Sequence, residues 1–221
     1  MQAVFETLFD LVYLITVITL GICMIRGNRG RRQYLLYGVM AVTLGCGDAF
    51  HLVPRAVALC TTGLADYTAA LGIGKLVTSV TMTLFYVLLY YVWRARYQVA
   101  GKNGLTASVW VLALVRIALC LLPQNAWTSA APPLSWGIWR NIPFVILGAL
   151  IVALFYRRAR EDKLFCLLWL AVVVSFGCYI PVVLFADTIP AVGMLMIPKT
   201  CAYVWAVVIG YRAMKQERAD A

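Results

Sequence analysis

The sequence predicts an all-α integral membrane protein, a single seven-transmembrane-helix bundle over residues 1–221. Three observations carry this. Of the 221 residues, 63% are hydrophobic and only 13% are charged, whereas a soluble domain is about a quarter charged. The apolar residues fall in seven runs, each near the ~20 residues needed to cross a hydrocarbon core. Fourteen of the nineteen lysines and arginines fall in alternate links between those runs or in the C-terminal tail, which is the bias that cytoplasmic loops carry.

The runs span residues 5–25, 34–53, 69–93, 105–122, 139–156, 164–185 and 193–211. Continuous apolar segments satisfy their backbone in lipid as helices. The first is long enough to span and is followed by arginines, so it reads as a retained helix and not a cleaved signal. The second opens on "YLLYGVMAVTLGC" and ends in "GDAFHLVPR". The third carries "TSVTMT" and then the aromatic stretch "LFYVLLYYVW". The fourth holds Arg116 and leads into the loop "NAWTSAAPPLSW". The fifth combines Arg140, Asn141 and Pro143 with the apolar "ILGALIVALFY". The sixth contains Ser175, Tyr179 and Pro181, with Asp187 at its mouth. The seventh begins in "MLMIPKTCAYVW".

Orientation follows from the basic segments "RGNRGRRQ", "RARYQVAGK", "RRAREDK" and "RAMKQER". All four belong to one side, and the positive-inside rule makes that side cytoplasmic. The N-terminus is then outside and the C-terminus inside, in the plasma membrane of a bacterium. Trp93, Trp127, Trp136 and Trp139 fall at predicted interfaces, as aromatic belts do. The net charge of +10 arises in the cytoplasmic segments. It signals topology and attraction to anionic lipid on that face, and not a nucleic-acid partner. Seven scattered cysteines without a CxxC pair and one histidine argue against a metal site, and no cofactor is expected. Cys60, in an external loop, is open to oxidation.

The remaining charges form a layer. At ~1.5 Å per residue, Asp48 lies ~21 Å from Tyr34, Arg116 ~17 Å from Leu105, and Lys199 ~20 Å before Arg212. Asp10 lies ~24 Å before Arg26, Arg140 ~25 Å before Arg157, and Lys75 ~28 Å before Arg94. In a core ~30 Å thick these groups share the outer half. Charges at such depth are costly, face the bundle interior and pair. Asp48, His51 and Arg55 are spaced i, i+3 and i+7, one helix face. They are expected to point inward, with Asp48 within ion-pairing reach of Arg116, Arg140 or Lys199. Pro143, Pro181 and Pro198 loosen the backbone in the same layer, either shaping a cavity or simply kinking or starting helices. The inner halves carry no charge and read as a closed core.

Two uses of the layer stay open: a salt-bridge network that fixes helix register, or an outward-facing polar pocket. The pocket's candidate ligand-binding residues are Asp10, Asp48, His51, Lys75, Ser79, Arg116, Arg140, Asn141, Tyr179 and Lys199. The expected ligand is small and polar, or a lipid headgroup. Asp48 with His51 is also a candidate acid–base pair, which a hydroxyl from Thr78, Ser79, Thr81 or Thr83 would complete as a hydrolase. An aspartate merely holding a buried histidine has the same pattern.

Several families offer points of comparison. Zinc hydrolases similar to alkaline ceramidases and adiponectin receptors need three histidines, and this chain has one. Lys199 invites comparison with the retinal lysine of rhodopsins, but the third helix has no carboxylate counter-ion. The fragment "GDAFHLVP" resembles the GD-plus-apolar segment of the lysoplasmalogenase-type, YhhN-like membrane proteins, which cleave a lysolipid ether. That resemblance implies Asp48 as the catalytic acid and Asp10 as a second carboxylate. A Lys-Pro element precedes the GD segment in that family; here Pro198-Lys199 follows it, in reversed order. The chain as a whole resembles small, uncharacterised bacterial seven-transmembrane proteins with phrases such as "GMLMIPKTCAYVW". Matching basic links after helices one and five, and Lys75 and Lys199 on helices three and seven, resemble the 3+1+3 arrangement of SWEET transporters and KDEL receptors.

Overall fold

The computed structural model of the chain describes residues 2–186 and 188–220. Seven α-helices account for nearly all of them: α1 (Gln2–Arg26), α2 (Arg32–Cys60), α3 (Thr68–Arg96), α4 (Asn103–Leu121), α5 (Leu134–Arg158), α6 (Leu168–Phe185) and α7 (Met196–Ala219). Short 3-10 turns at Pro123–Asn125 and Pro190–Leu195 precede α5 and α7. Each of the seven spanning segments is long and apolar enough to cross a membrane. The chain is a multi-pass helical membrane protein.

Each helix packs on the next, and α7 returns to α1, so the seven close into a ring. Contacts of α3 with α5 and of α2 with α7 cross its interior. The stretch Leu84 to Trp93 turns Phe85, Tyr86, Leu89, Tyr90 and Trp93 inward, where all are buried. Leu8, Ile15, Val111, Leu114 and Ile146 are exposed on the outer faces, as expected where lipid is as apolar as the side chains.

The helix bounds differ from the sequence reading in α7, which runs on past residue 211 to Ala219, and in α2. That run was expected to end at Val53, yet the helix continues through Pro54 to Cys60. Proline lacks an N–H, so the carbonyl four residues before it loses its helical partner. That carbonyl, Phe50 O, lies against Gly74 of α3, where an added Cβ would come within 2.4 Å of it. The backbones of α2 and α3 therefore meet where Pro54 has loosened one of them. Thr78 of α3 reinforces the crossing by donating to Gly47 O of α2 at 3.2 Å.

Trp93 departs from its expected place in an aromatic belt. Only 3% exposed, it donates through Nε1 to Leu154 O of α5 at 3.2 Å and stacks on Tyr90. The α3–α5 contact encloses the end of α3, so this tryptophan joins the core. Trp139, in contrast, is 60% exposed.

At the end of the bundle that carries the basic segments, ion pairs close the ring. Arg96 at the end of α3 grips Asp162 through Nε at 2.8 Å and Nη2 at 3.1 Å. It also bonds Glu217 of α7, which accepts from Arg31 at 2.9 Å. Tyr97 and the Leu164 N–H complete the shell of Asp162, each at 3.1 Å. Burial opposes ionisation of Asp162, but these bonds and the Arg96 charge outweigh it and hold the carboxyl below its usual range.

Candidate functional site

The opposite end of the bundle, where α2, α4 and α6 finish and α3, α5 and α7 begin, encloses a cavity of about 280 Å³. Six helices and the loop 122–133 form its wall, and no described residue of α1 lines it. The loop is held by Asn125, which is buried and donates to Leu119 O at 2.7 Å, Leu122 O at 2.9 Å and Cys120 O at 3.3 Å. It thereby satisfies carbonyls that the end of α4 leaves without helical partners. Its Oδ1 accepts from Arg140 Nη1 at 2.9 Å. Trp127 donates to Cys120 O at 2.8 Å, and its own carbonyl lies over Gly72 of α3, where any Cβ would collide at 1.6 Å.

Seven of the ten candidate residues line this cavity: His51, Lys75, Ser79, Arg116, Arg140, Tyr179 and Lys199. Arg116 is the deepest, 2% exposed, with Nε and Nη1 lacking a hydrogen-bond partner among the described residues. Its guanidinium lies over Phe144 at 3.2 Å from the ring centre. Arg140 lies over Trp127 at 4.3 Å. Lys199 faces Tyr179 at 4.8 Å and Tyr203 at 5.5 Å. The cations are thus seated on ring faces, whose quadrupoles attract them. Lys75 is exposed, and Ser79 turns its hydroxyl back to Lys75 O at 2.7 Å.

The other three candidates lie outside the cavity wall. Asn141 is buried, spans Gly137 O at 2.8 Å and the Tyr179 hydroxyl at 3.0 Å, and borders a separate groove between α5 and α6. It positions Tyr179 from behind. Asp48 accepts from Tyr13 of α1 at 2.5 Å. Asp10 lies near Glu6, Asp48 and Arg55. Ser175 is buried, with its Oγ unpartnered among the described residues. Asp187 lies outside the described residues.

The stripe of α2 is therefore divided. Arg55 reaches the α1–α2 seam and pairs with Glu6 at 2.7 Å. Asp48 also turns to α1. His51 turns to α3, its Nδ1 3.2 Å from Leu71 O. A carbonyl can only accept, so Nδ1 carries the hydrogen and Nε2 of the neutral ring is an acceptor. Asp48 and His51 share no hydrogen bond among the described residues, and the expected acid–base pair is not assembled. Asp48 also lacks an ion pair within 4.0 Å of Arg116, Arg140 or Lys199. Lys199 is the basic group of the three whose charge acts on it. The physical reason is angular. Residues three apart on a helix differ by about 60° in direction, enough to send neighbours of one face to different helices.

The layer thus separates into an acidic seam on α1 and α2 and a cationic cavity within α2–α7. Sequence reasoning missed the aromatic seats Trp127, Phe144 and Tyr203. No spacing rule connects Arg116 to Phe144, since helices four and five meet only after folding. The class is a multi-pass helical membrane protein with a cationic cavity at one end. Comparison of the chain with protein-family models, curated proteins and solved structures gives no match.

Proposed function

We propose that the protein is a sensor or carrier whose cavity binds a small polar ligand or a lipid headgroup from the outer side of the membrane. The observation that carries this reading is the convergence of seven polar candidates from six helices on one cavity. A register-fixing network would pair its charges internally, as Arg96, Asp162 and Glu217 do at the other end, whereas Arg116 keeps Nε and Nη1 unpartnered among the described residues.

In this reading the basic segments and the C-terminus are cytoplasmic and meet anionic lipid, the N-terminus is outside, and the membrane is a bacterial inner membrane. A 3+1+3 arrangement of related halves belongs to the same proposal, with Lys75 of α3 and Lys199 of α7 as corresponding residues. The alternatives are a structural membrane partner without ligand and a lipid hydrolase of the YhhN-like type. The hydrolase would have to use Asp48 and His51 from their separate settings.

The test is His51→Gln, with mass spectrometry of ligands retained by the protein purified in native lipid. Glutamine keeps hydrogen bonding but cannot shuttle a proton at neutral pH. Retained ligand and fold support binding. Loss of a lipid-hydrolysing activity with the fold intact favours the enzyme instead. No ligand retained by wild type or variant leaves the structural role.

A further inference from the structure

None of the described residues lining the cavity is Asp or Glu, while Arg116, Arg140 and Lys199 line it. A buried charge costs free energy unless it is paired and hydrogen-bonded. Arg116 is 2% exposed, and two of its three nitrogens are unpartnered among the described residues. The Phe144 face stabilises its charge but accepts no in-plane hydrogen bond. Arg116 lines the cavity, so an oxyanion there would offset its charge, and charge-assisted bonds to carboxylate or phosphate are the strongest that a guanidinium makes.

Beside the cavity, α5 and α6 leave an apolar groove of about 300 Å³ lined by Ile142, Val145, Ile146 and Ile180. Tyr179 and Val183 line both spaces. The cavity has room for on the order of nine water volumes, a headgroup's size and not a whole lipid's. Polar cavity and apolar groove are adjoining, and together they match the two ends of one molecule.

We propose that the ligand is an anionic amphiphile, with a carboxylate or phosphate headgroup against Arg116 and Lys199 and one hydrocarbon chain in the α5–α6 groove. This rests on reading the cavity as a binding site. It adds the sign of the ligand's charge and the place of its chain.

The test uses the full-length protein in phosphatidylcholine nanodiscs. The probes are oleoyl lysophosphatidate, oleate, oleoyl lysophosphatidylcholine and glycerol 3-phosphate, and retention is read by native mass spectrometry. The two anionic lipids should be retained about tenfold over the zwitterionic one. Arg116→Gln and Lys199→Gln should each erase that preference. Val145→Trp, at a position that lines the groove and not the cavity, should weaken lysophosphatidate and leave glycerol 3-phosphate unchanged. Should either cavity variant fail to fold, the wild-type preference alone decides. Equal retention of lysophosphatidate and lysophosphatidylcholine overturns the anionic ligand but leaves a binding site. Glycerol 3-phosphate bound as well as lysophosphatidate overturns the seat for the chain. Retention of none of the four overturns this proposal and the binding role beneath it.

Discussion

The guanidinium of Arg116 lies 3.2 Å from the centre of the Phe144 ring, and both side chains are buried. An arginine from α4 is thus seated on an aromatic face from α5 in place of a carboxylate. This defines the cavity as a site of concentrated positive charge. It also sets stability against function at one residue.

Arg116→Met should raise the stability of delipidated protein, because it removes a buried, incompletely hydrogen-bonded charge while keeping volume. Relief of one unsatisfied group is worth ~1–3 kcal/mol, and each kcal/mol moves the midpoint by about 2–4 °C at this chain length. Thermal unfolding in detergent measures it. The same variant should lose anionic lipid. A lower midpoint would mean that Arg116 serves packing.

Tyr13→Phe should destabilise the bundle by ~1.5–3 kcal/mol, the range for a hydrogen bond to a charged group. Its hydroxyl donates to Asp48 at 2.5 Å. Asp48→Ala should reduce folded yield sharply and Asp48→Asn less, because asparagine keeps an acceptor for Tyr13. In a double-mutant cycle, Tyr13→Phe and Asp48→Asn should be non-additive. Additive effects would place the value of Asp48 elsewhere.

Asp162 makes stability depend on acid pH. Its carboxyl is held below its usual range in the folded protein; unfolded, it titrates near 3.9. Its contribution is therefore fully present above that unfolded value and is lost as pH falls toward the folded one. Unfolding midpoints measured from pH 6 to pH 3 should fall, and Asp162→Asn should flatten the fall. A variant with the wild-type slope would assign the acid sensitivity to other carboxylates.

Single cysteines on a Cys-free background should orient the bundle. Cysteine at Arg29, Lys102, Arg160 or the C-terminal tail should resist impermeant reagents in intact cells, and cysteine at Asp66 or Thr128 should react. The first three positions belong to the links at the basic end and the last two to links at the cavity end. Labelling of the tail in intact cells would reverse the orientation and turn the cavity to the cytoplasm.

Much of this protein is written locally. Seven apolar runs required seven helices, because the backbone of each can be satisfied in lipid only within its own segment. Their lengths also fixed the depth at which Lys75, Arg116, Arg140 and Lys199 would lie, since rise per residue is constant. Depth brings these four cations to one layer, and all four line the cavity; His51, Ser79 and Tyr179 enter by their chemistry and not by depth. Direction around the helix was harder to read. Asp48, His51 and Arg55 share a stripe, yet small angular differences send them to Tyr13, Leu71 and Glu6. Only the tertiary structure decided that the acids gather at the α1–α2 seam, that the cations gather in a cavity lined by α2–α7, and that Arg116 rests on Phe144. Each of these depends on which helices become neighbours and on their rotation about their axes. Those choices are made by long-range packing, such as Gly74 against Phe50, and by loop contacts, such as Asn125 with Arg140. A single chain's periodicity encodes depth and face, but it does not encode the partner that the face will meet.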